Sequence, residues 1–304
     1  MIHVPDSFAN SIREVHGVAG EAWLQRLPGL IADRERRWSV TVGPPFLPLN
    51  YNYVAPAIQA DGTEAVLKVG VPTAALTAEI EALRLFDGRG SVRLLDADPD
   101  WGVLLLEQLV PGMPLADLPD DDQATTIAAQ VMRQLWRPLP TAHRFPSVAD
   151  WAKGLGTLRG RYGGATGPLP AALVDQAEAL FAELIGSMRE PVLLHGDLHH
   201  DNILAAERQP WLAIDPKGLV GEPEYEVGAL LRNPMPGLLA MPHVDRVLAR
   251  RLDILSETLG FDRERLRAWG LAQAVLAAWW SIEDHGQGWE TWIACAELLD
   301  GLQG

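Results

Sequence analysis

The sequence predicts an α+β fold in two parts, a small part built on an antiparallel sheet and a larger, mostly helical part. Short segments rich in β-forming residues alternate with turns over the first third of the chain, interrupted by one helical segment. Apolar residues then recur at helical spacing over most of the remainder. With 304 residues, of which 48% are hydrophobic and 21% charged, the chain can form an ample core. We expect the first part to span residues 1–107 and the second residues 108–304.

The first part is predicted to begin with a helix and to continue as strands. Apolar residues at helical spacing predict a helix over about residues 17–37, with a break near Pro28. The β-rich segments predict a five-stranded antiparallel sheet, in which Asp61-Gly62 forms the turn between the second and third strands. One helix, over residues 74–86, is expected between the third and fourth strands. The predicted strands cover residues 38–42, 52–58, 64–70, 92–96 and 103–107.

The second part is predicted to be helical apart from one short hairpin. Residues 203–205 and 211–214 have the composition of its two strands, and the turn falls at residues 207–210. No internal repeat or low-complexity tract is evident. The predicted helices cover residues 121–136, 147–161, 171–187, 224–232, 243–259, 263–285 and 289–302.

The hairpin lies inside the segment that carries the chemistry. The apolar run Val192-Leu193-Leu194 leads into Asp197, Asn202 follows five residues later, and Asp215 ends the second strand of the hairpin. This spacing is typical of a phosphoryl-transfer catalytic loop. Asp197 is predicted to orient an acceptor hydroxyl and to take its proton late in the transfer. Asn202 and Asp215 are predicted to bind Mg²⁺, which prefers oxygen ligands.

This segment has two other interpretations. His195, His199, His200 and Asp201 could form a zinc site, but zinc ligands usually have helical or knuckle spacing, often with cysteine, and the chain has no second ligand cluster. The polar residues could also merely stabilise a turn. Neither interpretation accounts for apolar segments on both sides of the motif with a further carboxylate at the end.

The segment from His195-Gly196-Asp197 to Asn202, together with residues 214–223, resembles the aminoglycoside phosphotransferase superfamily. Residues 2–6, 91–95 and 280–284 are similar to its branch of streptomycin 6-phosphotransferases and hydroxyurea-resistance kinases. The resemblance covers nearly the whole chain. It implies a two-lobed, protein-kinase-like fold and a phosphotransferase that uses ATP and Mg²⁺ to phosphorylate an alcohol group of a small molecule.

The resemblance also implies roles for residues of the first part. It places Lys68 on the α- and β-phosphates of ATP, held by a glutamate of the following helix, with Glu79 preferred over Glu81. It makes Glu107 and Leu109 part of a hinge whose backbone groups meet adenine. By itself, Lys68 would be interpreted as a solvated lysine on an edge strand. The hinge would be interpreted as an ordinary strand end.

The acceptor is expected to meet the helical part near Trp280, Glu283 and Asp284. Aromatic faces and carboxylates bind guanidinium groups well, and streptomycin, which the resemblance implies as acceptor, carries two. A net charge of −15 suits a cationic substrate and argues against nucleic acid as a partner. Alternatively, the charge only keeps the protein in solution, the tryptophans are core, and the two carboxylates are a solvated helix end.

Some residues depart from the pattern of protein kinases. Residues 43–51 hold one glycine and three prolines where a glycine-rich loop would cover phosphates, so we assign no contacts there. Pro216 and Lys217 replace the Phe and Gly of a mobile activation segment, which favours a small-molecule kinase that is always active. Glu226 stands where the superfamily often has Asp, and we expect it to brace the catalytic loop.

Composition limits the cellular context. Cys295 is the only cysteine, so no intrachain disulfide is possible, and a reducing cytoplasm with its ATP is expected. No apolar run reaches membrane-spanning length, and no obligate protein partner is evident. Two further functions stay open. The acceptor could be hydroxyurea, another antibiotic or a metabolite, or the chain could be a nucleotide-binding protein without catalysis.

Overall fold

The computed structural model describes residues 4–302, which form two compact units that divide between Gly112 and Met113. Ile2 and His3, which contribute to the resemblance, lie outside the described residues. The functional boundary after Glu107 remains a prediction.

The first unit is built on the predicted five-stranded sheet, with strand order β1-β2-β3-β5-β4 and antiparallel pairing throughout. In the register, Lys68 on β3 pairs with Val54 on one side and Leu104 on the other. Lys68 therefore lies on a central strand, which excludes the interpretation of a solvated edge lysine. The strands are β1 (Val40–Val42), β2 (Tyr53–Gln59), β3 (Glu64–Val69), β4 (Leu94–Asp98) and β5 (Val103–Glu107).

Two helices accompany this sheet. The first, α1 (Asp6–Trp38), begins earlier than predicted, and the break expected near Pro28 is wrong. Helical geometry is interrupted instead at Gly17, whose φ of 53° is readily adopted by glycine. Pro28 stays inside the helix, whose buried residues from Phe8 to Ile31 share one hydrophobic core with the sheet. The second helix, α2 (Ala74–Phe86), has the predicted bounds and is capped by Thr73.

The second unit is mainly helical, as predicted. Its central helix is α8, which packs against α4, α5, α6, α7 and α9, and whose Trp269 and Trp279 are buried. The expected helix over residues 224–232 begins instead as a short 3₁₀ helix at Pro223–Glu226. The helices are α3 (Asp121–Leu135), α4 (Val148–Arg161), α5 (Ala171–Gly186), α6 (Val227–Leu231), α7 (Val244–Leu259), α8 (Arg263–His285) and α9 (Trp289–Gly301).

Short strands frame the polar segment of this unit that holds Asp197, Asn202 and Asp215. A further strand, β6 (Pro111–Pro114), lies at the boundary between the units. Strands β7 (Val192–Leu194) and β10 (Leu219–Gly221) form an antiparallel pair. Strands β8 (Ile203–Ala206) and β9 (Trp211–Ala213) form the predicted hairpin. Segments 195–202 and 214–218 therefore both begin directly after buried strand ends.

Among residues 4–302, no helix is long and apolar enough to cross a membrane.

Candidate active site

A buried carboxyl group holds the loop after β7 through two hydrogen bonds to its backbone. Glu226 accepts hydrogen bonds from the backbone N–H groups of His195, at 2.7 Å, and Gly196, at 2.8 Å. Burial raises the pKa of Glu226 to about 7. Gly196 has a φ of 86°, and a Cβ there would lie only 3.1 Å from the Cβ of Leu219. The expectation that Glu226 braces this loop is confirmed.

His195 is also a structural part of the loop. Its Nε2 lies 2.7 Å from the carbonyl oxygen of Ile214, and its Nδ1 accepts from the N–H of Asp197 at 3.2 Å. This pattern assigns the ring hydrogen to Nε2, and burial lowers the pKa of His195 to about 4, so the ring is neutral near pH 7. Because both ring nitrogens are engaged, a zinc site would lack this ligand.

The β8–β9 hairpin brings the two predicted metal ligands next to the loop. The side-chain Nδ2 of Asn202 donates to the carbonyl oxygen of Asp197 at 2.9 Å, which orients the amide and leaves its Oδ1 as the side chain's acceptor atom. The N–H of Ile214 donates to the carbonyl of Asn202 at 2.9 Å, so Asp215 follows directly. Asp215 has a φ of 59°, a left-handed conformation that Asp tolerates better than most residues. An amide and a carboxylate oxygen fit the donor preference of Mg²⁺.

Two cationic side chains and one imidazole surround the carboxylate of Asp197. Arg232 Nη2 lies 3.3 Å from Oδ1, while Lys217 Nζ and His199 Nε2 lie 3.8 Å and 4.0 Å from Oδ2. The side chain of Asp197 is 26% exposed, so it combines a fixed position with access for a ligand. Arg232 was not predicted from the sequence as a residue of the site. Its signal was an arginine directly after the apolar run of residues 227–231, because a buried charge requires a partner.

In the first unit, the structure brings Lys68 and Glu79 together. Lys68 Nζ lies 2.7 Å from Glu79 Oε1, and both residues are buried. Of the two candidate glutamates on α2, the one in this ion pair is Glu79, the preferred candidate, and not Glu81. An ion pair fixed in this way presents a lysine from a central strand, which suits a phosphate ligand.

The two predicted hinge residues, Glu107 and Leu109, differ in how their groups are engaged. The backbone N–H of Glu107 donates to the carbonyl of Arg93, and its carboxylate accepts from the N–H of Arg93, each at 3.0 Å. An adenine contact to the Glu107 N–H would therefore compete with an existing bond. Leu109 is partly exposed just beyond β5, and its contact with adenine stays a prediction.

The predicted acceptor residues lie on the last turns of α8. Trp279 is core, whereas Trp280 is partly exposed, so the two tryptophans differ in role. Trp280 packs edge-on against Trp151 of α4, with ring centroids 5.3 Å apart. The Trp151 ring in turn lies 3.3 Å from where a Cβ on Gly196 would be. An aromatic contact thus links Trp280 to the residue before Asp197.

Glu283 and Asp284 are exposed beyond Trp280, near the C-terminal end of α8. Trp151 was missed by the sequence analysis. Helical periodicity indicates which residues share a face, but it does not show which other helix that face meets.

Comparisons with known proteins agree with this geometry. Residues 39–285 match the family model described as aminoglycoside/hydroxyurea antibiotic resistance kinase. The chain is 36% identical to a streptomycin 6-kinase of Streptomyces glaucescens, over 100% of this chain and 98% of that protein. It is 37% identical to a hydroxyurea phosphotransferase of Kitasatospora aureofaciens, over 100% of this chain and 88% of that protein.

Solved structures identify the fold. The choline kinase LicA of Streptococcus pneumoniae is similar with a TM-score of 0.65 at 14% identity, covering 91% of this chain and 99% of that one. The aminoglycoside phosphotransferase APH(4)-Ia, in a complex with ADP and hygromycin B, gives a TM-score of 0.62 at 15% identity, covering 89% and 96%. The protein-kinase-like fold class is therefore confirmed. By its family match and its full-length relatives, the chain belongs to the phosphotransferases of the aminoglycoside/hydroxyurea antibiotic resistance kinase family.

Proposed function

We propose that this protein uses ATP to phosphorylate a hydroxyl of a cationic aminoglycoside-type antibiotic, with the 6-hydroxyl of streptomycin as the acceptor, and thereby inactivates it. The observation that carries the chemistry is that Asn202 is hydrogen-bonded to Asp197 on the braced loop, and that Asp215 directly follows Ile214, which is hydrogen-bonded to Asn202. The acceptor rests on the full-length similarity to streptomycin 6-kinases. The use of ATP is supported by neighbours of the same fold that were solved with ADP or AMP.

Asp197 has the central role in the transfer. Its carboxylate orients the acceptor hydroxyl toward the γ-phosphorus and accepts the hydroxyl proton late, because the transition state is loose and positioning dominates. Asn202 Oδ1 and the Asp215 carboxylate are the groups that would hold Mg²⁺, which neutralises charge on the transferring phosphates when bound. Lys68, fixed by Glu79, would bind the α- and β-phosphates of ATP.

The acceptor side relies on aromatic and acidic groups. The Trp280 ring can stack on a guanidinium, an interaction worth about 0.5–2 kcal/mol depending on desolvation. Glu283 and Asp284 lie near it on the helix end and are exposed to a ligand. The net charge of −15 would favour the approach of a cation over long range. We place the activity in the cytoplasm, where ATP is available, and where buried Cys295 would stay reduced.

A hydroxyurea kinase is the second candidate, because the identity to the hydroxyurea phosphotransferase is of the same size as that to the streptomycin 6-kinases. Hydroxyurea is small and uncharged, so it would gain little from Glu283 and Asp284. A nucleotide-binding protein without catalysis is disfavoured, because Lys68, Asp197 and both predicted metal ligands are present together.

The test is ADP release by the purified protein with Mg²⁺-ATP, measured against streptomycin, other aminoglycosides, hydroxyurea and simple amino alcohols. We expect turnover with streptomycin and a phosphorylated product detected by mass spectrometry. Turnover with hydroxyurea but not with streptomycin would establish the second candidate. ATP binding without turnover on any compound of the panel would contradict the antibiotic assignment.

A further inference from the structure

A buried arginine joins the predicted catalytic carboxylate to the central helix of the second unit. Arg232 follows α6 directly and is 7% exposed. One arm of its guanidinium, Nη2, lies 3.3 Å from Asp197 Oδ1. The other arm, Nη1, donates to Gln273 Oε1 of α8 at 3.2 Å. The planar guanidinium thus spans a carboxylate on one side and a neutral amide on the other.

Gln273 is itself held in one orientation. It is 4% exposed, and its Nε2 donates to the backbone carbonyl of Tyr225. Because Nε2 is used as the donor, Oε1 must face Arg232. A Cβ on Gly228 would lie 2.3 Å from Gln273 Cδ, so only a residue without a side chain leaves room for this amide. The hydrogen bond to Tyr225 and the close approach to Gly228 therefore fix the orientation of Gln273 independently of Arg232.

The neutrality of Gln273 has an electrostatic consequence. The side-chain carboxylate that Arg232 contacts is that of Asp197, while its second partner carries no charge. A carboxylate at position 273 would compete for the guanidinium, since charge-assisted hydrogen bonds are stronger than those to a neutral amide. The amide instead holds one arm of the guanidinium and leaves its charge directed at Asp197.

We propose that Arg232 is a positioning residue for Asp197, and that Gln273 keeps Arg232 in that role. With Oδ1 held by Arg232, Oδ2 is the oxygen that faces the acceptor hydroxyl. This inference rests on the proposed phosphoryl transfer. In that step the acceptor oxygen forms a bond to the γ-phosphorus, the bond from phosphorus to the ADP oxygen breaks, and the hydroxyl proton passes to Oδ2 of Asp197.

The test compares steady-state kinetics of four variants with the wild type, using Mg²⁺-ATP and streptomycin. Arg232→Met removes the charge, and Arg232→Lys keeps it on a shorter donor. Gln273→Glu is nearly isosteric and adds a competing carboxylate. We expect kcat to fall at least tenfold in Arg232→Met and several-fold in Gln273→Glu, with both KM values within about twofold. Arg232→Lys should recover part of the loss.

Arg251→Lys is the matched control. Arg251 is also buried, but it pairs with Asp121 and donates to the carbonyls of Leu230 and Asn233 rather than to Asp197. Its variant should lower the melting temperature and leave the kcat of the folded protein unchanged. All rates are corrected for the folded fraction, measured by circular dichroism.

The inference is overturned if folded Arg232→Met and Gln273→Glu turn over at the wild-type rate, or if kcat falls equally in the Arg251 control. Failure of the proposed function has a different signature. A wild-type protein that hydrolyses ATP slowly but does not phosphorylate streptomycin would refute the acceptor, and the same variants would then be scored on hydrolysis. A protein that transfers phosphate to no compound of the panel and not to water overturns both.

Discussion

Replacing Glu226 with glutamine exchanges one oxygen for an NH₂ group at the point where two backbone N–H groups converge. The wild-type carboxyl accepts from His195 and Gly196 at 2.7 Å and 2.8 Å, and the residue is 1% exposed. At pH 5 this group is protonated in the folded protein, because burial raises its pKa to about 7, but its hydroxyl oxygen keeps an acceptor lone pair that an NH₂ group lacks. Glutamine can accept only one of these bonds, so one buried N–H faces another donor. An unsatisfied buried donor costs about 1–3 kcal/mol. We therefore expect Glu226→Gln to lower the free energy of unfolding by about 2 kcal/mol at pH 5.

The same variant gives a signed pH dependence. Burial raises the pKa of Glu226 from 4.5 to about 7 in the folded state. A raised carboxyl pKa contributes stability that is fully present below pH 4.5 and is lost as the pH rises through 7. The difference between the two values corresponds to about 3 kcal/mol. Glutamine does not titrate, so the stability gap between wild type and variant should close near pH 8.

Urea unfolding followed by circular dichroism at pH 5, 6, 7, 8 and 9 measures this gap. Differences between two proteins at one pH cancel the titration of all other groups. Glu297→Gln on α9 is the control, because Glu297 is exposed, and its effect should stay within about 0.5 kcal/mol. A gap for Glu226→Gln that is constant from pH 5 to 9 would refute the raised pKa, and a gap that widens would reverse its sign.

The remaining predictions concern ATP, the acceptor and acid stability. Lys68→Met leaves the buried Glu79 without its cation, so the KM for ATP should rise more than tenfold, and unfolding should become easier by roughly 3 kcal/mol in urea titrations. Combined Glu283→Gln and Asp284→Asn should raise the KM for streptomycin about tenfold and leave that for ATP unchanged in steady-state assays. Burial lowers the pKa of His200 to about 3, so its contribution to stability is present above pH 6.5 and is lost as the pH falls through 3. Between pH 7 and pH 5 the wild type should therefore lose about 2 kcal/mol more than His200→Leu in urea unfolding.

Each of these has a contrary result. Unchanged ATP kinetics in folded Lys68→Met would remove Lys68 from the phosphate site. An unchanged KM for streptomycin in the double variant would refute the acidic acceptor site, and Glu297→Gln again serves as the control for lost charge. Parallel pH curves for wild type and His200→Leu would show that the imidazole titrates normally in the folded protein.

Much of the fold followed from local patterns. Strand β5 and helices α2 and α8 have the predicted bounds. Strand β5 is a short, continuous apolar run, and the two helices begin after the capping residues Thr73 and Asp262. The position of the break in α1 was not predicted by these patterns. Local rules give Pro28 more weight than Gly17, but burial of the helix face around Pro28 keeps the helix continuous there.

The site was predictable where its residues lie close in sequence. Asp197, Asn202 and Asp215 are joined by one loop and one hairpin, so their spacing carries their geometry. Arg232, just after α6, and Trp151 of α4 reach this loop from distant parts of the chain, and Gln273 of α8 is connected to it through Arg232. Which helix faces meet is set by tertiary packing, and a single sequence does not encode that in any local period.

The most direct test of the central claim is product analysis with wild type and Asp197→Asn. Purified protein is incubated with Mg²⁺-ATP and streptomycin, and phosphorylated streptomycin and ADP are quantified by mass spectrometry and ³¹P NMR, with ATP binding measured by calorimetry. We predict equal amounts of the two products from the wild type, almost none from Asp197→Asn, and ATP affinity that is similar in both proteins. Wild-type turnover in Asp197→Asn, or ADP without phosphorylated streptomycin from the wild type, would contradict the account.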